Sequence, residues 1–234
     1  MATPQERDAA RAAKLLAARA ALPSAPHDDL GRRGFTLASL NCCGIRSAER
    51  RGLLRWLAKA RPDLLCLQEV RAWPDQVSPE LRCPAGYNSR WLVSGKKGYA
   101  GVATYSRPAP DRHLAGSGRD ELAWGDEEAR VLRTDFCGLA VYNLYLPSGS
   151  SSPDRQLLKF EYLEHLLPLA RGWLDEAQDA GRQALLCGDF NVAHTALDIR
   201  NAKGNEKNSG FLPAERAWFD RLLALGWVDV LRAL

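Results

Sequence analysis

The 234-residue sequence has no apolar run long enough to span a bilayer, and the apolar core of a secretory signal is missing from its N-terminal stretch. A membrane or exported protein is therefore not expected. Metal spacing of the zinc type is absent too. None of the six cysteines (Cys42, Cys43, Cys66, Cys83, Cys137 and Cys187) forms a C-x-x-C pair, and most lie in apolar runs. That pattern predicts buried, reduced thiols of a cytoplasmic protein rather than disulfides or a zinc site. The four histidines (His27, His113, His165 and His194) are scattered, and no two have ligand spacing. There is no internal repeat and no low-complexity block. No strong charge excess exists either: a net charge of +4 permits an anionic partner without demanding one. What is present, 46% hydrophobic and 26% charged residues, suits one sizeable globular core.

The stretch around which the chain is organised is Ala184 to His194, ALLCGDFNVAH. A short apolar run that stops in Gly188, Asp189, Phe190 and Asn191 reads as a buried strand opening into a loop. If the backbone stays extended, Asp189 and Asn191 share a face. Together they offer anionic and neutral oxygens and an N–H donor, which suits a hard metal ion, a water or a phosphate. A lone D-x-N more often marks a capping Asp in a strand-to-helix turn with Asn in a tight bend.

Three other strands end similarly. Phe35 to Leu40 predicts a strand ending at Asn41, and residues 49–60 predict a helix stopped by Pro62. The run 64–67, LLCL, closes in Gln68 and Glu69, so strand, helix and strand suggest a crossover. Residues 72–95 read as loop with short strands, Val102 to Ser106 as a strand, and 111–128 as a polar loop. Val131–Phe136 and Leu139–Leu146 predict two strands joined at Cys137-Gly138, with Asn143 and Tyr145 on one face near the end of the second. A long helix over 153–180 is capped by Ser152 or Asp154 and ended by Gly181. The polar stretch 198–210 interleaves Asn201, Asn205 and Asn208 with Arg200, Lys203 and Lys207. Pro213 opens a last helix, and 227–234 predict a strand or turn. Residues 1–34, rich in Ala and Arg, read as a mobile tail with a weakly amphipathic helix over 5–21.

Glu69 and Asp189, with Asn41, Asn143, Asn191 and Tyr145, thus stand at strand ends. Oxygen ligands of this kind suit Mg²⁺, which takes one or two carboxylates plus waters and a substrate phosphate. Phosphoester hydrolysis is the reaction class that follows. Each residue has a plainer alternative. Glu69 could be an ion-pair partner of Arg71, Tyr145 a core aromatic, Tyr99 an exposed loop aromatic, and the 198–210 stretch a solvated turn.

The motifs SLNCCGIR, LLCLQE, KKGYAGVATYSR, VYNLYLPSG, LLCGDFNVAHTALDIR and NAKGNEKNSGFLPAERAWFDRLL carry a closer likeness. From Phe35 onward the chain resembles the exonuclease III family of abasic-site endonucleases, within the endonuclease/exonuclease/phosphatase superfamily. The last motif is the one narrow to the DNA-repair branch. The resemblance implies an α+β fold, a four-layered α/β/β/α sandwich of the deoxyribonuclease I-like type. It implies a Mg²⁺-dependent phosphodiesterase, with Mn²⁺ the alternative ion, that cuts duplex DNA 5′ to abasic sites and degrades it from 3′ ends. Such an enzyme acts as a monomer in the cytoplasm, at the nucleoid if bacterial. Glu69 and Asn41 are then metal residues, Asp189, Asn191 and Tyr145 are catalytic, and Tyr99, Ser148, Arg200, Asn201, Lys203, Asn205, Lys207 and Asn208 contact DNA. Ser148 stands where relatives often carry Asn or Gln, and His194 is expected to be a structural hydrogen-bonding residue.

The sequence departs from the family at its end, since no W-R-I-D-like or final S-D-H-like motif appears before Leu234. A domain over 35–234 that lacks its C-terminal strands is therefore expected. Its second sheet would be incomplete, its edges open and its stability marginal. Loss of catalytic partners would lower or abolish the rate, which keeps two other readings open: a non-catalytic DNA-binding fragment, and a phosphatase of the same superfamily.

Overall fold

A computed structural model describes residues 34–118, 120–136 and 138–234. The expected tail up to residue 33, its helix over 5–21, and Cys137 lie outside the described residues. Two four-stranded sheets form the centre. The first runs β1 (Leu37–Asn41), β2 (Leu64–Gln68), β4 (Val102–Ser106), β3 (Asn88–Leu92). The second runs β5 (Arg112–Ala115), β6 (Val131–Phe136), β7 (Leu139–Tyr145), β8 (Gln183–Asp189). One pair in each sheet is parallel, β1 with β2 and β7 with β8, and the rest are antiparallel. The crossovers between the parallel pairs carry helices, as parallel neighbours require.

Period-two alternation sorts the side chains into layers. In β7, Ala140, Tyr142 and Leu144 face the helices α5 (Pro153–Asp179) and α7 (Pro213–Ala224), packing with Tyr162, Leu166, Trp173 and Trp218. The intervening Val141 and Tyr145 face the other sheet. In β2, Leu65 and Leu67 pack on α1 (Ile45–Arg50), α2 (Leu53–Ala60) and α3 (Pro79–Arg82), while Leu64 and Cys66 point between the sheets. The result is the expected four-layered α/β/β/α sandwich. Each fully buried leucine or aromatic in these layers contributes roughly 1.5–3 kcal/mol.

Several local expectations change. The single helix over 49–60 is two helices, broken at Gly52, whose φ of 100° ends the first turn pattern. The polar loop 111–128 holds β5 and α4 (Ala123–Glu127), a strand too short and charged for its periodicity to show. A helical turn, α6 (Ala202–Asn205), interrupts the Asn/Lys stretch, and 227–234 ends in another, α8 (Val230–Ala233), rather than a strand. The long helix begins as read: Ser152 Oγ accepts from Arg155 N at 3.2 Å.

Among the described residues β8 is an edge strand of the second sheet, and β1, an edge strand of the first, lies beside it. A groove of about 890 Å³ runs along the β8 side, lined by Leu186, Phe190, Phe219, Leu222, Val228 and Leu231. Among the described residues no helix is long and apolar enough to cross a membrane.

Candidate active site

The parallel pairs align their C-terminal ends. Asn41 pairs with Gln68 across β1 and β2, and Tyr145 with Asp189 across β7 and β8. Because the sheets are stacked, these two rims meet. Asn41 Nδ2 donates to Asp189 Oδ2 at 2.6 Å and to Glu69 Oε1 at 2.9 Å. Tyr145 donates its hydroxyl to the same Glu69 Oε1 at 3.0 Å. Residues from positions 41, 69, 145 and 189 thus converge on one cluster, half from each sheet. Glu69 leaves the strand register at φ 53°, which turns its carboxylate across the rim.

Arg71 pairs with Glu69 Oε2, so the plain ion-pair alternative holds alongside the cluster. Asn41 Oδ1 accepts from Cys43 N at 3.0 Å, so the amide presents its nitrogen to the two carboxylates. As placed, Asn41 relieves their repulsion; it becomes a cation ligand only with the amide reversed. Tyr145 is buried, which together with the Glu69 carboxylate pushes its phenol up to about 12. It is therefore protonated, a donor, across the neutral range. Beneath it, the Arg130 guanidinium lies 4.8 Å from the ring and donates to the Tyr145 carbonyl at 2.8 Å.

The backbone does not stay extended through D-F-N, and the tight bend of the alternative reading is what forms. Asn191 adopts φ 50°, so the chain turns at once after β8. The turn brings Asn191 N to Asp189 Oδ1 at 2.9 Å and aims Asn191 Nδ2 at the Leu146 carbonyl, also 2.9 Å. Asn191 therefore flanks Asp189 rather than following it on one strand face. Asn143 is not a rim residue. It lies two positions inside β7, wholly buried, bonded to Gln68 Nε2 at 2.7 Å and to the Ala103 carbonyl at 3.0 Å, and so ties the two sheets together.

Tyr99 is half-buried beside the Tyr145 cluster. Its hydroxyl donates to Glu128 Oε1 at 3.2 Å and accepts from Arg155 at 3.0 Å, so it is no free loop aromatic. Ser148 is half-buried, its hydroxyl 2.9 Å from that of Ser150. Arg200, Asn201, Lys203, Lys207 and Asn208 are exposed, while Asn205 is half-buried and donates to the Arg200 and Asn201 carbonyls. The stretch returns to the site through Ala193 N, which donates to the Gly210 carbonyl at 2.8 Å. His194 pairs with Asp220 at 2.7 Å and stacks on Phe219, matching the structural role read for it.

Glu128, Arg130, Arg155, Lys159 and Glu215 also shape this rim and escaped sequence reasoning. Each sits in a segment that reads as ordinary helix or turn. The one available signal was Glu215, two residues after Pro213 where a capping glutamate stands.

Glu69, Asp189 and a reversed Asn41 offer carboxylate and amide oxygens only. The neighbouring Cys42 thiol is pushed up to about 12 by burial and donates to the Gln68 carbonyl rather than facing the carboxylates as a free thiolate. Among the described residues no group of three or more His, Cys, Asp or Glu side chains could hold a metal. The donor set fits a hard divalent cation such as Mg²⁺, which needs one or two carboxylates, and does not fit zinc.

A stacked pair of mixed sheets with carboxylates at their common rim defines a class, and residues 38–230 match the model of the Endonuclease/Exonuclease/phosphatase family. The chain belongs to that family, among its exonuclease III-like members. It is 34% identical over 200 residues to the DNA repair nuclease APEX1 of Danio rerio, covering 85% of this chain and 62% of that protein. With the exodeoxyribonuclease of Bacillus subtilis it shares 34% identity over 197 residues, covering 84% of this chain and 74% of that one. A solved 3′ phosphatase from Neisseria, bound to a product DNA hairpin, superposes with a TM-score of 0.74 at 28% identity, covering 86% of this chain and 75% of the other.

Proposed function

We propose that the chain carries the site of a Mg²⁺-dependent DNA-repair phosphodiesterase, with Mn²⁺ the alternative ion. It hydrolyses the backbone of duplex DNA 5′ to abasic sites and removes nucleotides from 3′ ends. The observation that carries this reading is the convergence of Asn41, Glu69, Tyr145 and Asp189 through shared hydrogen bonds. The names of the relatives, a DNA repair nuclease and an exodeoxyribonuclease, support DNA as the substrate, and the abasic-site preference rests on the likeness of the 198–219 motif to the repair branch.

In this reading Glu69, with Asn41 beside it, holds the divalent cation, which when bound supplies Lewis acidity to the phosphate and the leaving oxygen. Asp189 orients a water and takes its proton as the oxygen attacks phosphorus. Tyr145 gives a hydrogen bond to the charge that grows on the phosphoryl or leaving oxygen. Asn191 keeps one amide hydrogen on Leu146 and directs the other to the phosphate. The P–O3′ bond breaks and the leaving oxygen takes a proton from solvent water, which leaves a 3′-hydroxyl on one side and the phosphate on the abasic sugar. Tyr99, Ser148 and the residues Arg200, Asn201, Lys203, Asn205, Lys207 and Asn208 hold the duplex by its backbone, without reading sequence.

The test is nicking of a duplex oligonucleotide with one abasic site, with an Asp189→Asn protein purified in parallel. Mg²⁺-dependent cutting that the variant and a chelator both abolish supports the reading. Equal background in both preparations defeats it for residues 1–234. A second reading, removal of a 3′ phosphate from DNA, is favoured by the likeness to the Neisseria structure. Release of inorganic phosphate from a 3′-phosphorylated duplex without nicking at abasic sites would select it.

A further inference from the structure

Beneath the rim, a lysine and a glutamate are paired with no exposure of either side chain. Lys159 comes from α5 and Glu215 from the first turn of α7, and Lys159 Nζ stands 2.5 Å from Glu215 Oε1. Burying both charges carries a desolvation cost that pairing must offset, and a well-packed apolar pair often does as well for stability. The hydrogen bonds around the pair show what an apolar replacement would lose.

Lys159 Nζ also donates to the Asn191 carbonyl, at 2.7 Å. Glu215 Oε2 accepts from Gly210 N at 2.7 Å and from Leu212 N at 3.0 Å, and Gln156 donates to Oε1 at 3.1 Å. One end of the pair therefore grips the turn that carries Asn191, and the other grips the end of the 198–210 loop. The two segments are joined above it by Ala193 N on the Gly210 carbonyl. Asn191 is held at φ 50°, a conformation an asparagine adopts readily but does not prefer.

We infer that Lys159 and Glu215 are positioning residues that join the Asn191 turn to the 198–210 loop, so that the phosphate-directed amide and the backbone-contacting loop are set as one unit. This rests on the phosphodiesterase reading above. Neither residue touches the reacting atoms; each acts through Asn191 or through the Gly210 and Leu212 amides.

The experiment compares the full chain with Lys159→Met, Glu215→Gln and the double variant. Amide hydrogen exchange at Ala193, Gly210 and Leu212 is the first readout, because it needs no catalysis. Each single variant should speed exchange at these amides by about tenfold or more, with β6 and β7 unchanged. Steady-state nicking of abasic duplex is the second. Lys159→Met should lower kcat by about 10²-fold with little change in KM, as expected for a misplaced group. The double variant should lose no more than Lys159→Met alone, because the pair acts as a unit. Unchanged exchange at the three amides, exchange raised equally across all strands, or additive losses would overturn the inference. If Lys159→Met gives no cooperative melt, Glu215→Gln decides by the same measures. If the wild-type chain cuts no DNA, the exchange result still judges the coupling, and the failure belongs to the phosphodiesterase reading.

Discussion

Gly188 is the position where a single methyl group should separate the site from its scaffold. Its φ is 135°, and a Cβ built there would stand 2.0 Å from the Leu144 carbonyl oxygen and 2.8 Å from its carbon, where real contacts stay above 3.0 Å. Both obstacles are backbone, so no side chain can swing away. Gly188→Ala therefore forces β8 off β7 at the Leu144–Gly188 pair by on the order of 1 Å, directly before Asp189. Backbone strain of about 1–3 kcal/mol, plus one or two weakened ladder hydrogen bonds at about 1 kcal/mol each, gives roughly 2–5 kcal/mol of destabilisation. For a chain of this size that is a fall in Tm of roughly 4–20 °C. A displacement near 1 Å at Asp189 costs about 10²-fold in rate. Gly172 in α5 is the control: it has open space around it and an ordinary φ, so Gly172→Ala should gain up to about 1 kcal/mol. A Gly188→Ala protein that melts within about 1 °C of wild type would refute the reasoning, whatever its activity.

Other expected outcomes follow from the same geometry. Tyr145→Phe removes the hydroxyl on Glu69, and should lower kcat by about 10²–10³-fold while costing at most about 1.5 kcal/mol of stability. Since burial and the Glu69 carboxylate push that phenol up to about 12, the wild-type pH profile should show no basic limb from it in the neutral and mildly alkaline range. Mg²⁺ at 100 times its dissociation constant should stabilise the protein by about 2.7 kcal/mol, reversibly with chelator, and Glu69→Gln should lose most of that rise in a thermal melt. On the far side of the second sheet, Arg133 and then Arg112 hold the Glu176 carboxyl below the usual carboxylate range. A depressed native pKa contributes stability that is full above the unfolded value of about 4.3 and is lost as the pH falls through the native value. Glu176→Gln should therefore lower the melting temperature at pH 7 and flatten its decline in acid, with the difference shrinking in salt because the group is half-exposed.

The sequence by itself determined the strands with strong apolar runs, because their composition admits little else: β2, β4, β6, β7 and β8 begin and end within two residues of where their patterns place them. It also placed Asn41, Glu69 and Asp189 at the ends of apolar runs and Tyr145 near the end of another. Short or charged elements such as β5 and α4 were not legible, because too few buried side chains mark a period. Only the tertiary structure decided that the four strand ends meet, because that depends on two parallel pairings and on the stacking of the sheets, which bring Asn41 to Asp189 across 148 positions of chain. It likewise sent Asn143 into the core and turned Asn191 out of the strand, choices made by hydrogen-bond partners on other elements. The Lys159–Glu215 pair is the clearest case. Lys159 alone reads as solvated helix surface and Glu215 as a helix-capping residue, and only the packing of α5 on α7 removes both from water and aims them at the two loops above.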